Sequence, residues 1–180
     1  MKKIVICILV LCVILSISGC NSIEEILSPS APETAIFNIA GYGLQLTADT
    51  DFRESTGGNY DMQITNDDCY ISIMAFSYID LPQDVSPADV YDMQNQDLFS
   101  RRENTVIIEA LQTKSDSGRT ILRTLYSAEK SGSKNYYGSY LIDFPTEKTF
   151  AWILVSAVPS YYQSHSTYLH GIVTSLTKLS

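Results

Sequence analysis

Hydrophobic residues form one continuous run near the start of the chain, and beyond it they alternate with polar residues in short segments. Residues 4–17 are apolar except for Ser16, and two basic residues, Lys2 and Lys3, precede them. The run is shorter than the ~20 residues that a helix needs to cross a bilayer. A basic head followed by a short apolar core is typical of a bacterial secretory signal. We therefore predict that residues 1–19 are a signal peptide, with a transmembrane anchor as the alternative.

The end of the apolar run resembles the lipobox of bacterial lipoproteins, in which small residues precede a cysteine. It reads LSISGC and ends at Gly19 and Cys20. The resemblance implies cleavage after Gly19 and a diacylglyceryl thioether on Cys20. Because each buried methylene adds about 0.8 kcal/mol of membrane affinity, two or three acyl chains hold a protein firmly at a bilayer. We expect Cys20 to anchor the protein to the extracytoplasmic face of the cell membrane; the alternative is an ordinary secretory signal.

The segment after the predicted anchor lacks a hydrophobic period. Residues 20–35 contain Pro29 and Pro32 among Ser, Ala and Glu, a composition that favours an extended spacer. A short helical turn over residues 23–27 is the alternative. The rest of the chain, residues 36–180, has the usual size of one domain of ~150 residues.

From residue 36 onward the hydrophobic pattern mostly has the period of β-strands. Apolar stretches are separated by turn sequences such as Asn66-Asp67-Asp68, which favour hairpins. The pattern predicts a long antiparallel meander. Its strands are expected over residues 36–39, 42–47, 60–65, 69–78, 105–113, 119–129, 135–144 and 150–158.

Two segments have the period of a helix instead. In the first, Ser86 is a predicted N-cap, Pro87 occupies the first helical position, and the helix ends near residues 101–102. The second follows Pro159 and is predicted to reach the C-terminus. Its expected apolar face comprises Tyr161, His165, Tyr168, Leu169, Ile172, Val173, Leu176 and Leu179.

The strands over residues 70–78 and 150–158 are apolar on both faces. Strands of this kind lie in the middle of a sheet that is covered on both sides. The two helices would provide that cover. The expected class is α+β, with a three-layer α/β/α sandwich around a mainly antiparallel sheet.

The order of these elements resembles that of the PsbP-like family, which includes oxygen-evolving-enhancer proteins and Ran-binding Mog proteins. The likeness covers residues 36–179. It consists of a hairpin, further strands, the helix over 86–102, a meander and a C-terminal helix, with Tyr42-Gly43-Leu44 entering a strand. The resemblance implies the sandwich fold and a role in binding or assembly. It transfers no partner-contact residue to this chain.

Acidic residues outnumber basic ones, with 20 Asp and Glu against 12 Lys and Arg and a net charge of −8. Nucleic-acid binding requires clustered basic residues, so we do not expect a nucleic-acid partner. Anionic lipid headgroups would also repel such a chain. The lipid on Cys20, rather than the protein surface, is therefore expected to hold the protein at the membrane.

The chain contains no G-x-S-x-G, H-E-x-x-H, P-loop or G-x-G-x-x-G motif. His165 and His170 are five residues apart, which turns a helix by ~140° and prevents them from holding one metal ion. We expect His165 to pack on the sheet and His170 to face solvent.

Two acidic pairs are candidates for calcium ligands. Asp49 and Asp51 fail the EF-hand pattern because Arg53 occupies the next alternate position and no Gly follows at the sixth. Asp67 and Asp68 are equally ambiguous. We interpret both pairs as solvated turn residues, and expect no metal, cofactor or catalytic residue.

After processing, Cys69 would be the one remaining free thiol, so no internal disulfide is expected. The preceding carboxylates at residues 67–68 would raise its pKa, which favours a packed structural cysteine over a nucleophile. Tyr136, Tyr137 and Tyr140 could line a sugar or peptide groove, or serve as ordinary strand residues.

The leading functional hypothesis is a non-enzymatic binding or assembly lipoprotein, tethered by Cys20, with a protein partner. One alternative is a carrier of a small ligand in a pocket between helix and sheet. Another is a hydrolase that uses an unrecognised carboxylate pair, suggested by the acidic first half of the chain.

Overall fold

The computed structural model describes residues 32–56 and 58–179, so the predicted signal peptide, Gly19, Cys20 and residues 21–31 of the predicted linker lie outside the described residues. The described chain has ten strands and two α-helices. In chain order these are β1 (Thr34–Ile39), β2 (Leu44–Asp49), β3 (Arg53–Glu54), β4 (Met62–Thr65), β5 (Cys69–Ser77), α1 (Pro87–Ser100), β6 (Glu103–Asp116), β7 (Arg119–Lys130), β8 (Ser133–Phe144), β9 (Thr149–Ala157), α2 (Pro159–Thr174) and β10 (Thr177–Lys178).

The strands form two antiparallel sheets rather than one continuous meander. The larger sheet has the order β3-β4-β5-β9-β8-β7-β6, and the smaller has the order β1-β2-β10. Strands β6 to β9 form a meander, as predicted, but β9 then pairs with β5, with Ile73 opposite Ile153. This pairing agrees with the hydrophobic pattern, because the two strands that are apolar on both faces lie next to each other inside the sheet.

Each face of the larger sheet has its own cover. On one face, Val90 and Tyr91 of α1 are buried in a cluster with Trp152 and Leu154 of β9. On the other face, α2 and the smaller sheet share a core with the opposite side of β9, including Ile153. The α+β sandwich is therefore confirmed, with a helix and a small sheet together forming the third layer.

Helix α1 begins where the sequence predicts, because its first turn is fully capped. The Ser86 hydroxyl accepts from the Asp89 N–H, and the Asp89 carboxylate accepts from the Ser86 N–H at 2.8 Å. This reciprocal capping box satisfies two helix-terminal donors.

The prediction that the second helix reaches the C-terminus is wrong. Helix α2 ends at Thr174, and the short strand β10 then pairs with β2. The guanidinium of Arg119 donates to the carbonyls of Thr174 and Leu176, at 3.1 and 2.7 Å, and holds the chain as it leaves the helix. As a result Leu179, predicted on the apolar face, is exposed.

Both histidine predictions are also wrong. The backbone at His165 leaves helical geometry (φ −118°, ψ 15°), and the exposed imidazole stacks on Tyr161 at 4.2 Å. Tyr162 rather than His165 is buried in the first turns of α2, and it lies on the same helix face as the buried Leu169, seven residues later. His170 is half-buried, and it stacks on Tyr140 of β8 instead of facing solvent.

Candidate functional site

A cleft of about 620 Å³ lies beside the C-terminal half of α1, and we call it the α1 cleft. Apolar and aromatic side chains from four elements of the chain contribute to its lining, namely Tyr60, Met74, Leu98 and Trp152. Three cations, Arg101, Arg102 and Lys130, and one carboxylate, Asp97, also line it.

A buried hydrogen-bond network holds the floor of this cleft. The Trp152 indole N–H donates to the Ser139 hydroxyl at 3.0 Å, and that hydroxyl donates to the Asn95 side-chain oxygen at 2.5 Å. Nearby, the Tyr91 hydroxyl donates to Thr124 at 2.9 Å. The network ties α1 to three strands of the sheet and so fixes the position of the indole.

The cations of the α1 cleft are only partly neutralised. Arg101 forms an exposed ion pair with Asp97 at 2.5 Å. Arg102 lies over the Tyr137 ring, 5.7 Å from its centroid, and its buried Nε has no hydrogen-bond partner in the described part of the chain. Neither Arg102 nor Lys130 forms a salt bridge with any described residue. The cleft is therefore electropositive, although the whole chain is acidic.

The α1 cleft does not contain a pair of carboxylates for acid–base chemistry. Asp97 is the one carboxylate in its lining, and the ion pair with Arg101 occupies it. Across residues 32–56 and 58–179, no three His, Cys, Asp or Glu side chains are grouped so that they could hold a metal ion.

A second distinctive surface is the outer edge of the larger sheet, formed by β6 and called here the β6 edge (Glu103–Asp116). Among residues 32–56 and 58–179 this strand pairs with β7 alone, and three register shifts interrupt that pairing. Almost every side chain along it is exposed. Its aliphatic side chains are 44–59% exposed, namely Val106, Ile107, Ile108 and Leu111.

A polar cluster lies between the sheet and α2. Arg123 donates to the Glu109 carboxylate at 2.6 Å and to the Tyr140 hydroxyl at 3.2 Å. Burial raises the pKa of Tyr140, so the phenol stays protonated at neutral pH. Burial, followed by the charges of Arg123 and Lys114, lowers the pKa of His170. The charged and polar groups of this cluster bond to one another, with Arg123 paired to Glu109, so we interpret the cluster as structural.

Cys69 is fully buried, as the sequence predicts. Burial, followed by the charges of Asp68 and Asp51, raises the pKa of its thiol to about 12. A thiol with so high a pKa is protonated at neutral pH and is a poor nucleophile.

Asp51, Asp67 and Asp68 lie in turns, whereas Asp49 is the last residue of β2, so the interpretation of Asp49 as a turn residue is wrong. The Asn66 side-chain oxygen accepts from the N–H groups of Asp68 and Cys69, which closes the turn between β4 and β5. Asp67 is exposed and pairs with Arg53 at 3.3 Å. Asp51 accepts from the Asn66 amide at 3.3 Å. These carboxylates therefore form exposed contacts in and around the turn.

The three neighbouring tyrosines do not line a common groove. Tyr137 belongs to the core under α1, whereas Tyr140 is buried in the core under α2. Tyr136 lies on the same side as Tyr140 and packs edge-on against Tyr162. Alternation along β8 therefore distributes them over both faces, as expected for ordinary strand residues.

Sequence reasoning located neither the α1 cleft nor the openness of the β6 edge. The Arg101-Arg102 pair is visible in the sequence, but Lys130 joins it only because the β6–β7 hairpin returns to the same end of the sheet. The apolar run TVIIEAL within β6 is also visible. It predicts a strand, yet it does not reveal that no described element pairs with the outer edge of that strand.

No described helix is long and apolar enough to span a membrane. No protein-family model and no curated protein sequence matches the chain. Solved structures do match it. Cyanobacterial PsbP (CyanoP) from Synechocystis is similar with a TM-score of 0.62 and 8% identity, over 84% of this chain and 95% of that one.

Two further structures share the same architecture. LpqN of Mycobacterium tuberculosis, described as involved in cell envelope biogenesis, has a TM-score of 0.59 and 12% identity, over 82% of this chain and 91% of its own. The Ran-binding protein Mog1p of Saccharomyces cerevisiae has a TM-score of 0.54 and 10% identity, over 83% of this chain and 97% of its own. At such low identities the likeness concerns the fold, and the described chain has an α+β fold of the PsbP type.

Proposed function

We propose that this protein is a lipid-anchored, extracytoplasmic lipoprotein that acts as a non-enzymatic accessory module and binds a protein partner through the β6 edge. The single observation that carries the proposal is the long, unpaired and aliphatic edge of β6. The anchor is Cys20, and residues 20–33 would separate the domain from the membrane, because β1 begins at Thr34 and not at residue 36 as predicted.

An open strand edge offers a row of backbone donors and acceptors to another chain. Natural proteins usually protect such edges with short strands, lysines, prolines or bulges. Strand β6 does contain bulges, but it is 14 residues long, has no proline and carries its one lysine, Lys114, near its end. The four exposed aliphatic side chains would provide the apolar contacts that accompany strand addition.

Relatives of the fold support a binding role. Mog1p is described as a Ran-binding protein, and LpqN is described as involved in cell envelope biogenesis. The first supports a protein partner for this fold, and the second supports a cell-envelope location. The absence of a carboxylate pair from the α1 cleft favours binding over the hydrolase alternative.

The proposal is tested by photo-crosslinking in the cells that produce the protein. A benzophenone amino acid replaces Ile107, which is 59% exposed, in one strain and Met93 of α1, which is 51% exposed, in another. We expect a discrete heavier adduct from position 107 and none from position 93. Adding Leu111→Lys to the first strain should remove the adduct, because it replaces one of the exposed aliphatic side chains of the same edge by a charge.

Two results would contradict the proposal. Adducts of equal intensity from positions 107 and 93 would show that the β6 edge is not a selective surface. An adduct at twice the mass of the chain would identify the edge as a self-association surface rather than a docking surface for another protein.

A further inference from the structure

We infer that the α1 cleft is a binding site for a small aromatic anion, such as an aromatic carboxylate or an aromatic phosphate ester. This inference concerns residues outside the β6 edge and is independent of the function proposed above. It rests on the size of the cleft, the composition of its floor and the convergence of cations on its rim.

The cleft has the size and shape that such a ligand needs. Its volume of about 620 Å³ lies inside the range of roughly 300–1,000 Å³ that is usual for small-molecule sites. It lies between α1 and the sheet, where the indole of Trp152 and the side chains of Met74 and Leu98 form an apolar floor. Aromatic and apolar linings of this kind favour a flat apolar group.

The floor is preorganised for binding. The hydrogen bond to Ser139 holds the Trp152 indole N–H, and the neighbouring Asn95 also accepts within 3.4 Å of that nitrogen. A ligand would therefore not have to order this side chain on binding, which lowers the entropic cost of association.

The rim provides the charge. Arg101 and Arg102 come from the end of α1, where cations also stabilise the helix terminus. Lys130 comes from the end of β7, so helix stabilisation does not account for its position. Arg102 is held over Tyr137, and its buried Nε is left with no hydrogen-bond partner among the described residues. Neither Arg102 nor Lys130 is paired with a carboxylate among the described residues, so their charges would attract a carboxylate or phosphate group in the cleft and form charge-assisted hydrogen bonds with it.

The experiment uses the fluorescence of Trp152, which is the only tryptophan of the chain. Full-length protein in neutral detergent is titrated with 4-nitrophenyl phosphate, 4-nitrobenzoate or the uncharged 4-nitrobenzyl alcohol. The three probes share a quenching nitrophenyl group and differ in charge. We expect saturable quenching by both anions, with an affinity at least about tenfold higher than that of the alcohol.

Charge variants identify the site. Lys130→Glu and Arg102→Gln should each weaken the binding of 4-nitrophenyl phosphate by about tenfold. Lys114→Gln removes a cation from the far end of the β6 strand and should leave the affinity unchanged. Because Lys130 is exposed, its variant should fold normally and keeps the test valid even if Arg102→Gln does not.

Equal quenching by the anions and the alcohol would overturn the inference, and so would an affinity that is unaffected by Lys130→Glu. Quenching that never saturates would also overturn it. None of these results affects the crosslinking experiment at Ile107, so the proposed ligand site and the proposed protein-binding surface are tested independently.

Discussion

The imidazole of His170 stacks on the ring of Tyr140, with 5.8 Å between ring centroids and 29° between ring planes. We expect His170→Ala to lower the free energy of unfolding by about 0.5–1.5 kcal/mol, the usual contribution of an aromatic pair. Thr167→Ala, at an exposed position of the same helix, should change it by less than ~0.5 kcal/mol. Urea denaturation measures the free energy of unfolding of both variants. Equal decreases would indicate that the His170 ring is in solvent and not stacked on Tyr140.

The same histidine should make the protein less stable in acid. Burial and the nearby cations Arg123 and Lys114 lower its pKa below the ordinary value of 6.5. The unfolded chain therefore takes up a proton before the folded chain does, and stability is complete above pH ~6.5 and declines below it. His170→Gln should flatten this decline between about pH 7 and 5, whereas Thr167→Ala, which removes no titratable group from the same helix, should not. A decline that is identical in all three proteins would assign it to other groups.

Three side chains that the sequence places on one helix face should respond differently to truncation. Ile172→Ala and Leu176→Ala should each lower the free energy of unfolding by about 2–5 kcal/mol, because they open cavities in the core beneath α2. Leu179→Ala should lower the free energy of unfolding by less than ~0.5 kcal/mol, because that side chain is 47% exposed. Thermal denaturation distinguishes these values. A tolerant Leu176 would indicate that the segment between α2 and β10 does not belong to the core.

Removing the Ser139 hydroxyl, which lies at the centre of the network under α1, should destabilise the protein. Ser139→Ala leaves the Trp152 indole N–H and the Asn95 side chain without their shared partner, at a cost of about 1–3 kcal/mol. Ser133→Ala, at the exposed start of the same strand, is the control. Denaturant titration followed by circular dichroism gives both free energies. A neutral Ser139→Ala would mean that water or another group replaces the hydroxyl.

The predicted lipid anchor depends on one sulfur atom. Cys20→Ala should abolish incorporation of radiolabelled fatty acid and cleavage after Gly19, because the thioether forms on that sulfur. Cys12→Ala removes a thiol from the predicted signal peptide and should leave both processes intact. Continued labelling of the Cys20→Ala protein would contradict the lipoprotein hypothesis.

The start of α1 and the two-sided strands could be predicted from the sequence because their causes are local. Ser86 and Pro87 fix a helix start by hydrogen bonding and backbone geometry within one turn. Likewise, alternation over residues 70–78 and 150–158 shows that both strand faces are covered. These features need no knowledge of distant residues.

Other features depend on contacts between residues that are far apart in sequence. Nothing in the sequence near His165 indicates that its backbone will leave helical geometry. The helical period therefore wrongly predicts that the His165 side chain packs on the sheet. The α1 cleft requires Arg102 and Lys130 to meet across a hairpin, and the β6 edge requires that no element lies beside it. Local patterns contain no information about either arrangement.

The pairing of β5 with β9 also determines when the protein can fold. Strand β5 ends at Ser77, yet its partner begins only at Thr149, and the smaller sheet is completed by β10 at the end of the chain. Contacts between such distant segments form slowly, because the intervening chain must first lose its freedom. A chain emerging from the ribosome therefore lacks the partner of β5 until residue 157 has been made. For a protein predicted to be exported, this order of synthesis would leave β5 unpaired, and so favour a polypeptide that is still unfolded, while the first 150 residues are made.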